Sequence, residues 1–208
     1  MAIKDKNYDK LVDEVTIIIN NPASQLADLK EVSLKENFYQ FDLINNLSVP
    51  LIFDALINNK FDFIEFMLKK NKKLALTEHK NKKFIFTAFY FYFNADSKIF
   101  ANQPLIKNPN NLINLEKNII QMLTFCNPFK ITDQYNNSLF DFYLYLRNAY
   151  KKDNLNLWNK MLFHVNKNYF EKYKNNKNLT NQEVAILEKN VINKTIKKQN
   201  SIKNNFKI

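Results

Sequence analysis

None of the 208 residues is glycine, where ordinary usage of about 7% corresponds to roughly 14. Such a chain lacks the residue that takes positive φ without steric cost and lets backbone approach a ligand closely. The phosphate-cradling Walker loop, the dinucleotide fingerprint, the nucleophile elbow of serine hydrolases and the EF-hand loop all depend on that freedom. Each is excluded, and a nucleotide-driven enzyme is not expected. Left-handed turns fall to the next most tolerant residue, asparagine, of which there are 35.

The abundance of Asn, Lys, Ile, Phe and Tyr beside scarce Gly, Arg, Pro and Trp is the bias that AT-rich codons impose. At 46% hydrophobic and 14% aromatic the chain is still far too apolar for disorder, and its length suits one compact domain with a small appendage. A single cysteine, Cys126, rules out an internal disulfide framework and fits a reducing compartment. Two histidines and one cysteine are too few for an ordinary zinc site without carboxylates, so neither a metal nor a cofactor is expected. The N-terminus, Met1 to Lys10, is charged and polar, without the apolar stretch and small-residue cleavage site of a secretory signal. The most apolar run, Phe84 to Phe93, is about half the length of a membrane helix. No transmembrane segment is expected, and the location is read as cytoplasmic, or inside a host cell reached by a signal-less route.

The net charge of +11 is concentrated: residues 150–208 hold 13 lysines against four acids, while residues 1–59 are net acidic. Within that basic third, Thr180 and Glu183 have capping-box spacing, and Val184, Leu187 and Val191 recur at helical intervals with Ile192 and Ile196 beside them. An amphipathic helix over 178–198 is predicted, followed after Asn200 by a polar, basic segment expected to fray.

Upstream, helices come in pairs. Tyr8–Ile19 and Gln25–Val32 flank Asn20, Asn21 and Pro22. Pro50 suits the start of a helix running to Ile57. After Asn58-Asn59-Lys60 a second helix carries Phe63, Ile64, Met67 and Leu68 and ends in lysines, which favour a helix C-terminus. Phe84–Phe93 is dense and apolar, read as core with a buried strand as the alternative. Leu115–Phe125 carries Ile119, Ile120, Met122 and Leu123 and stops at Asn127-Pro128. Leu139–Tyr150 and Leu155–Val165 form a further pair, the latter with Trp158, Met161, Leu162 and Val165 on one face.

Laid over one another, these segments resemble ankyrin repeats. Val49, Pro50, Leu51 and Ile52 stand where that family opens its first helix with Thr-Pro-Leu-His. Ala55 stands near its small packing position, Asn58-Asn59 at its Asn-Gly turn, and Phe61 to Leu68 in its second helix. Lys117–Leu123 resembles another second helix. In Asn127–Leu139, Asp133 and Asn136-Asn137 occupy the Asp and Gly places of the link, and Asp42–Leu51 repeats that order. Asn replaces Gly throughout, and Thr-Pro-Leu-His is nowhere intact. The resemblance implies an all-α, ankyrin-like helical-hairpin solenoid of two to four units, with a generic helical-hairpin array as the alternative. Its parts would be an N-terminal helical cap (1–46), degenerate repeats (47–170) with a projecting insertion near 94–114, and a basic C-terminal capping helix and tail (171–208).

Catalytic readings have less behind them. His79 has no placed carboxylate or nucleophile in its local sequence and reads as a loop histidine; His164, between Phe163 and Val165, reads as a packing residue. Cys126 ends a helix, where the dipole disfavours a thiolate. Asp62 with Glu65 is ordinary helix-surface spacing, Asp133 is a turn residue, and neither they nor Asp141 make a catalytic carboxylate pair. The aromatic run Phe89 to Phe93 has no interleaved cation, as a nucleic-acid stacking platform would.

A non-catalytic protein-binding module is therefore expected, acting as a monomer on an unidentified protein partner, in the role of an effector or adaptor of an AT-rich microbe. The fingers Glu78, His79, Lys80, Asn81, Lys82 and Gln134, Tyr135, Asn136, Asn137 would make the contacts, with exposed first-helix positions Asp54, Asp141 and Tyr145. The alternative is a nucleic-acid or anionic-surface binder using a basic patch of Lys172, Lys174, Lys177, Lys189, Lys194, Lys197 and Lys198. Scarce arginine, the residue suited to bidentate phosphate contacts, argues against it.

Overall fold

A computed structural model describes residues 6–35, 43–45, 47–95 and 109–205. The chain divides into two compact units, Met1–Cys126 and Asn127–Ile208.

In the first unit, α1 (Lys6–Asn20) and α2 (Leu26–Lys35) form as the sequence predicts. Leu11, Val12, Val15 and Ile19 make one buried stripe, while Ile17, off that stripe, is exposed. The turn between the two helices is held by the Asn21 side chain, whose Oδ1 accepts from Ala23 N at 3.0 Å. Two further bonds reach this corner from Lys60 Nζ, to Ser24 O at 2.7 Å, and from Asn58 Nδ2, to Asn20 Oδ1 at 2.8 Å.

Helix α3 (Leu51–Ile57) starts directly after Pro50, and α4 (Phe61–Lys70) carries the expected stripe of Phe63, Ile64, Met67 and Leu68, all fully buried. Asn59, between them, is left-handed at φ 60°. A 3-10 turn (Lys72–Leu76) leads into a two-residue hairpin, β1 (Glu78–His79) against antiparallel β2 (Lys82–Lys83). Its turn residues Lys80 (φ 49°) and Asn81 (φ 62°) are both left-handed, the geometry that matches the twist of a tight hairpin.

The Phe84–Phe93 segment is helical, not a strand: α5 (Phe84–Asn94) buries Phe84, Ile85, Phe86, Phe89, Tyr92 and Phe93. Helix α6 (Pro109–Phe125) begins six residues earlier than the periodicity suggests. Of the expected projecting insertion, Asn94 and Ala95 are buried and residues 109–114 belong to α6; 96–108 lie outside the described residues. On α6 a buried amide, Asn118 Nδ2, donates to Phe61 O at 2.8 Å.

The ankyrin-like solenoid is not what these helices form. α1 packs on both α2 and α3, α2 on α4, α3 on α5, and α6 on α4 as well as α5. This non-sequential packing is that of an all-α bundle, unlike a tandem ankyrin array. The resemblance rested on Asn turns, a proline start and apolar stripes, which any helical hairpin needs and which do not encode how one hairpin stacks on the next.

The second unit holds α7 (Leu139–Tyr150), α8 (Leu155–Leu162), α9 (Lys167–Tyr173) and α10 (Asn181–Asn205). Ser138 and Asp141 form a capping box on α7, Asn154 caps α8 and Asn166 caps α9. Thr180 and Glu183 make the predicted box on α10, with Glu183 N donating to Thr180 Oγ1 and Thr180 N donating to Glu183 Oε2. The core is aromatic: Phe140 contacts Phe129, Tyr143, Trp158 and Tyr173. Helix α10 continues to Asn205, past the point where fraying was expected. It buries only Leu187 fully among its described side chains, leaving Ile192 and Ile196 exposed.

Candidate functional site

Each unit presents a finger with a groove beside it. In the first unit the finger is the hairpin 78–83. Its strands are tied by a Glu78–Lys83 ion pair at 3.4 Å. His79 packs half-buried against Phe53, ring centroids 5.5 Å apart, while Glu78, Lys80, Asn81 and Lys82 are exposed. An apolar groove of about 200 Å³ runs between this finger and helices α3 and α5, lined by Leu56, Ile57, His79, Lys80, Lys82 and Phe91 among others.

Asp54 does not belong to that surface. It is only 9% exposed, and Asn45 Nδ2 donates to its Oδ2. Burial pushes its carboxyl above the ordinary range, opposed by the Asn45 hydrogen bond and by His79. The helical position was correctly read, but α3 is nearly all core: Leu51 through Leu56 are all buried, so no exposed face was available to Asp54. The structure thus brings His79 a carboxylate neighbour that its local sequence did not offer. Asp54 holds Asn45, whose Oδ1 in turn accepts from Leu47 N and Val49 N at 2.9 Å.

In the second unit the finger is 132–138, closed by a bridge between Thr132 and Ser138. Asp133 Oδ1 accepts from Tyr135 N at 2.8 Å and Asn137 N at 2.9 Å, and Asn136 is left-handed at φ 62°. An Asp side chain thus organises the turn, and Asn takes the position where glycine is usual. Gln134 and Asn137 are exposed, and Tyr135 is 74% exposed. Tyr145, 64% exposed on α7, faces the same groove with Phe142. The groove measures about 440 Å³ and includes the half-buried carboxylates Asp133 and Asp141. Asp141 is first a capping residue, accepting from Ser138 N at 3.1 Å and Ser138 Oγ at 2.7 Å. Phe142 escaped the sequence reading, although a ring at i−3 from Tyr145 on one helix could have marked it; Phe91, read as core within the Phe89–Phe93 run, is half-buried and lines the first groove.

The basic patch is partly spent inside the fold. Lys194 Nζ donates to the carbonyls of Phe163 and Val165 beyond the end of α8, and burial pushes its pKa down. Lys172 lies over the Tyr173 ring and 3.5 Å from Asp141 Oδ2, and Lys174 pairs with Glu171 at 2.6 Å. Lys177, Lys189, Lys197 and Lys198 are exposed.

Burial pushes the Cys126 thiol up to about 11, which suppresses the thiolate a nucleophile needs. Among the described residues no group of three His, Cys, Asp or Glu side chains is placed to hold a metal ion, and no helix is long and apolar enough to cross a membrane. Comparison with family models, with curated proteins and with solved structures finds no match to this chain.

Proposed function

We propose that this chain is a non-catalytic protein-binding module that engages its partner through the two fingers and the grooves beside them. The observation that carries this reading is the pair Tyr135 and Tyr145, two large, solvent-exposed aromatics on different elements lining one groove with Phe142. Exposed tyrosines supply amphipathic contact area at low entropic cost and are enriched where proteins meet. Ile57, 54% exposed beside the first finger, gives the other groove an apolar wall. Binding through Lys-rich charge alone has less support, because Lys172, Lys174 and Lys194 already serve intramolecular partners.

The test replaces Glu78, Lys80, Gln134, Tyr135 and Tyr145 together, using Asn at 80 to keep the left-handed turn. Affinity capture from cell lysate at low and high salt should lose its salt-resistant partners while helicity is unchanged. Undiminished capture of those partners would remove the fingers from the binding surface.

A further inference from the structure

We propose that the Tyr135–Phe142–Tyr145 groove is a receptor for a lysine or arginine side chain carried on a partner protein segment, an inference that rests on the protein-binding reading above. Three rings and two carboxylates share one open depression. A cation within about 6 Å of a tyrosine or phenylalanine face is attracted by the ring quadrupole, more strongly once water is displaced. The carboxylates add a second, independent preference. Asp133 is fixed by three bonds from its own finger, those from Tyr135 N and Asn137 N and one from Asn137 Nδ2 at 3.2 Å. Asp141 is fixed by its capping box, and its described bonds, with the Lys172 contact, converge on Oδ2. Both charges are therefore preorganised by local backbone geometry, without waiting for a ligand.

The alternatives fit less well. An acidic segment would meet two like charges, and a purely apolar one would strip water from both carboxylates without replacing those hydrogen bonds. A basic side chain satisfies rings and carboxylates together, and an arginine also offers donors in a planar fork. Asp133 and Asp141, the latter shared with Lys172 at 3.5 Å, put two acids in one groove within residues 127–208, where Lys and Arg greatly outnumber Asp and Glu.

A displayed library of random linear peptides, panned against the full chain and counter-selected on the Tyr135→Ala/Tyr145→Ala variant, tests this. Unchanged helicity and Trp158 emission establish that the variant folds. Groove-dependent peptides should be enriched in Arg or Lys. Replacing the central cation of a synthesised hit by norleucine should cost about tenfold in affinity, as should Asp133→Asn, which keeps an acceptor for the turn amides. Groove-dependent peptides without a cation would overturn the charge assignment and leave protein binding standing. Recovery of no peptide that distinguishes the chain from its variant would overturn both.

Discussion

The guanidinium of Arg147, the only arginine in the chain, forks onto the Glu183 carboxylate through both terminal nitrogens and donates to Asn178 O at 2.7 Å. It lies 5.8 Å from the Trp158 ring centroid and is almost wholly buried. One residue thus ties α7 to the N-terminus of α10. Removing Arg147 leaves the half-buried Glu183 carboxylate without its cation and Asn178 O without its donor, so Arg147→Ala should destabilise the second unit by about 2 kcal/mol. Arg147→Lys, which lacks the planar fork, should recover only part of this. Urea unfolding followed by Trp158 fluorescence measures both, because Trp158 reports on the second unit.

The same pair sets an acid limit. Burial alone would raise the Glu183 pKa, but the Thr180 amide and Arg147 outweigh it and hold the carboxyl below its ordinary 4.5. The unfolded chain therefore takes up the proton first, and the stabilisation is complete above about pH 4.5 and lost as pH falls through the native value. The stability of the second unit should drop in that window, and Glu183→Gln should remove this component of the drop.

Asp54 has the opposite sign. Burial raises its pKa, so the native state binds the proton more readily than the unfolded one. Its contribution is most favourable below the ordinary 3.8 and declines as pH rises through the native value. Asp54→Asn keeps an acceptor for Asn45 Nδ2 and should make the first unit more stable at neutral pH, with no gain at pH 3. Hydrogen exchange of the Leu56 and Asn58 amides is the readout.

Backbone strain offers a gain in stability. Lys151 caps α7 at φ 50° and Ser48 sits at φ 60°, conformations that cost a side-chain-bearing residue about 1–2 kcal/mol. Lys151→Gly should stabilise the second unit by up to about 1 kcal/mol once the extra freedom of the unfolded glycine is subtracted. Thermal unfolding should show the increase.

These positions also mark how far the sequence could be read. Asn59, Asn81 and Asn136 are left-handed, in keeping with Asn as glycine's substitute, but Lys80, Lys151 and Ser48 give no local sign of their positive φ. Helix existence was legible wherever an apolar stripe met a boundary signal, as in α1 before Asn20-Asn21-Pro22, α4 with its terminal lysines and α10 with its capping box. The packing was not, because Asn118 reaching Phe61 O, or Lys60 reaching Ser24 O, joins residues dozens of positions apart through bonds no local pattern encodes. Tyr135 and Tyr145 were read as surface from their positions, whereas Asp54 was misassigned because α3 is buried nearly all round. Lys194 was counted with the basic patch although the carbonyls it serves, just past α8, lie 29 and 31 residues upstream.

That internal role has its own consequence. Lys194→Met preserves the aliphatic stem but removes the donors to Phe163 O and Val165 O, and should destabilise the second unit by about 2 kcal/mol. Charge reversal at Lys177, Lys189, Lys197 and Lys198 should leave stability within about 0.5 kcal/mol while lowering the salt needed to elute the protein from heparin. Partner capture at high salt should be unaffected.

The most direct measurement places a photo-crosslinking amino acid at Tyr135, Tyr145 or Ile57, and at the equally exposed control positions Ile17 and Leu34. Irradiation in cell lysate is expected to give discrete protein adducts from the three groove positions and none from the two controls. Adducts absent from all three groove positions, or equally abundant at the controls, would contradict a binding surface built on the fingers.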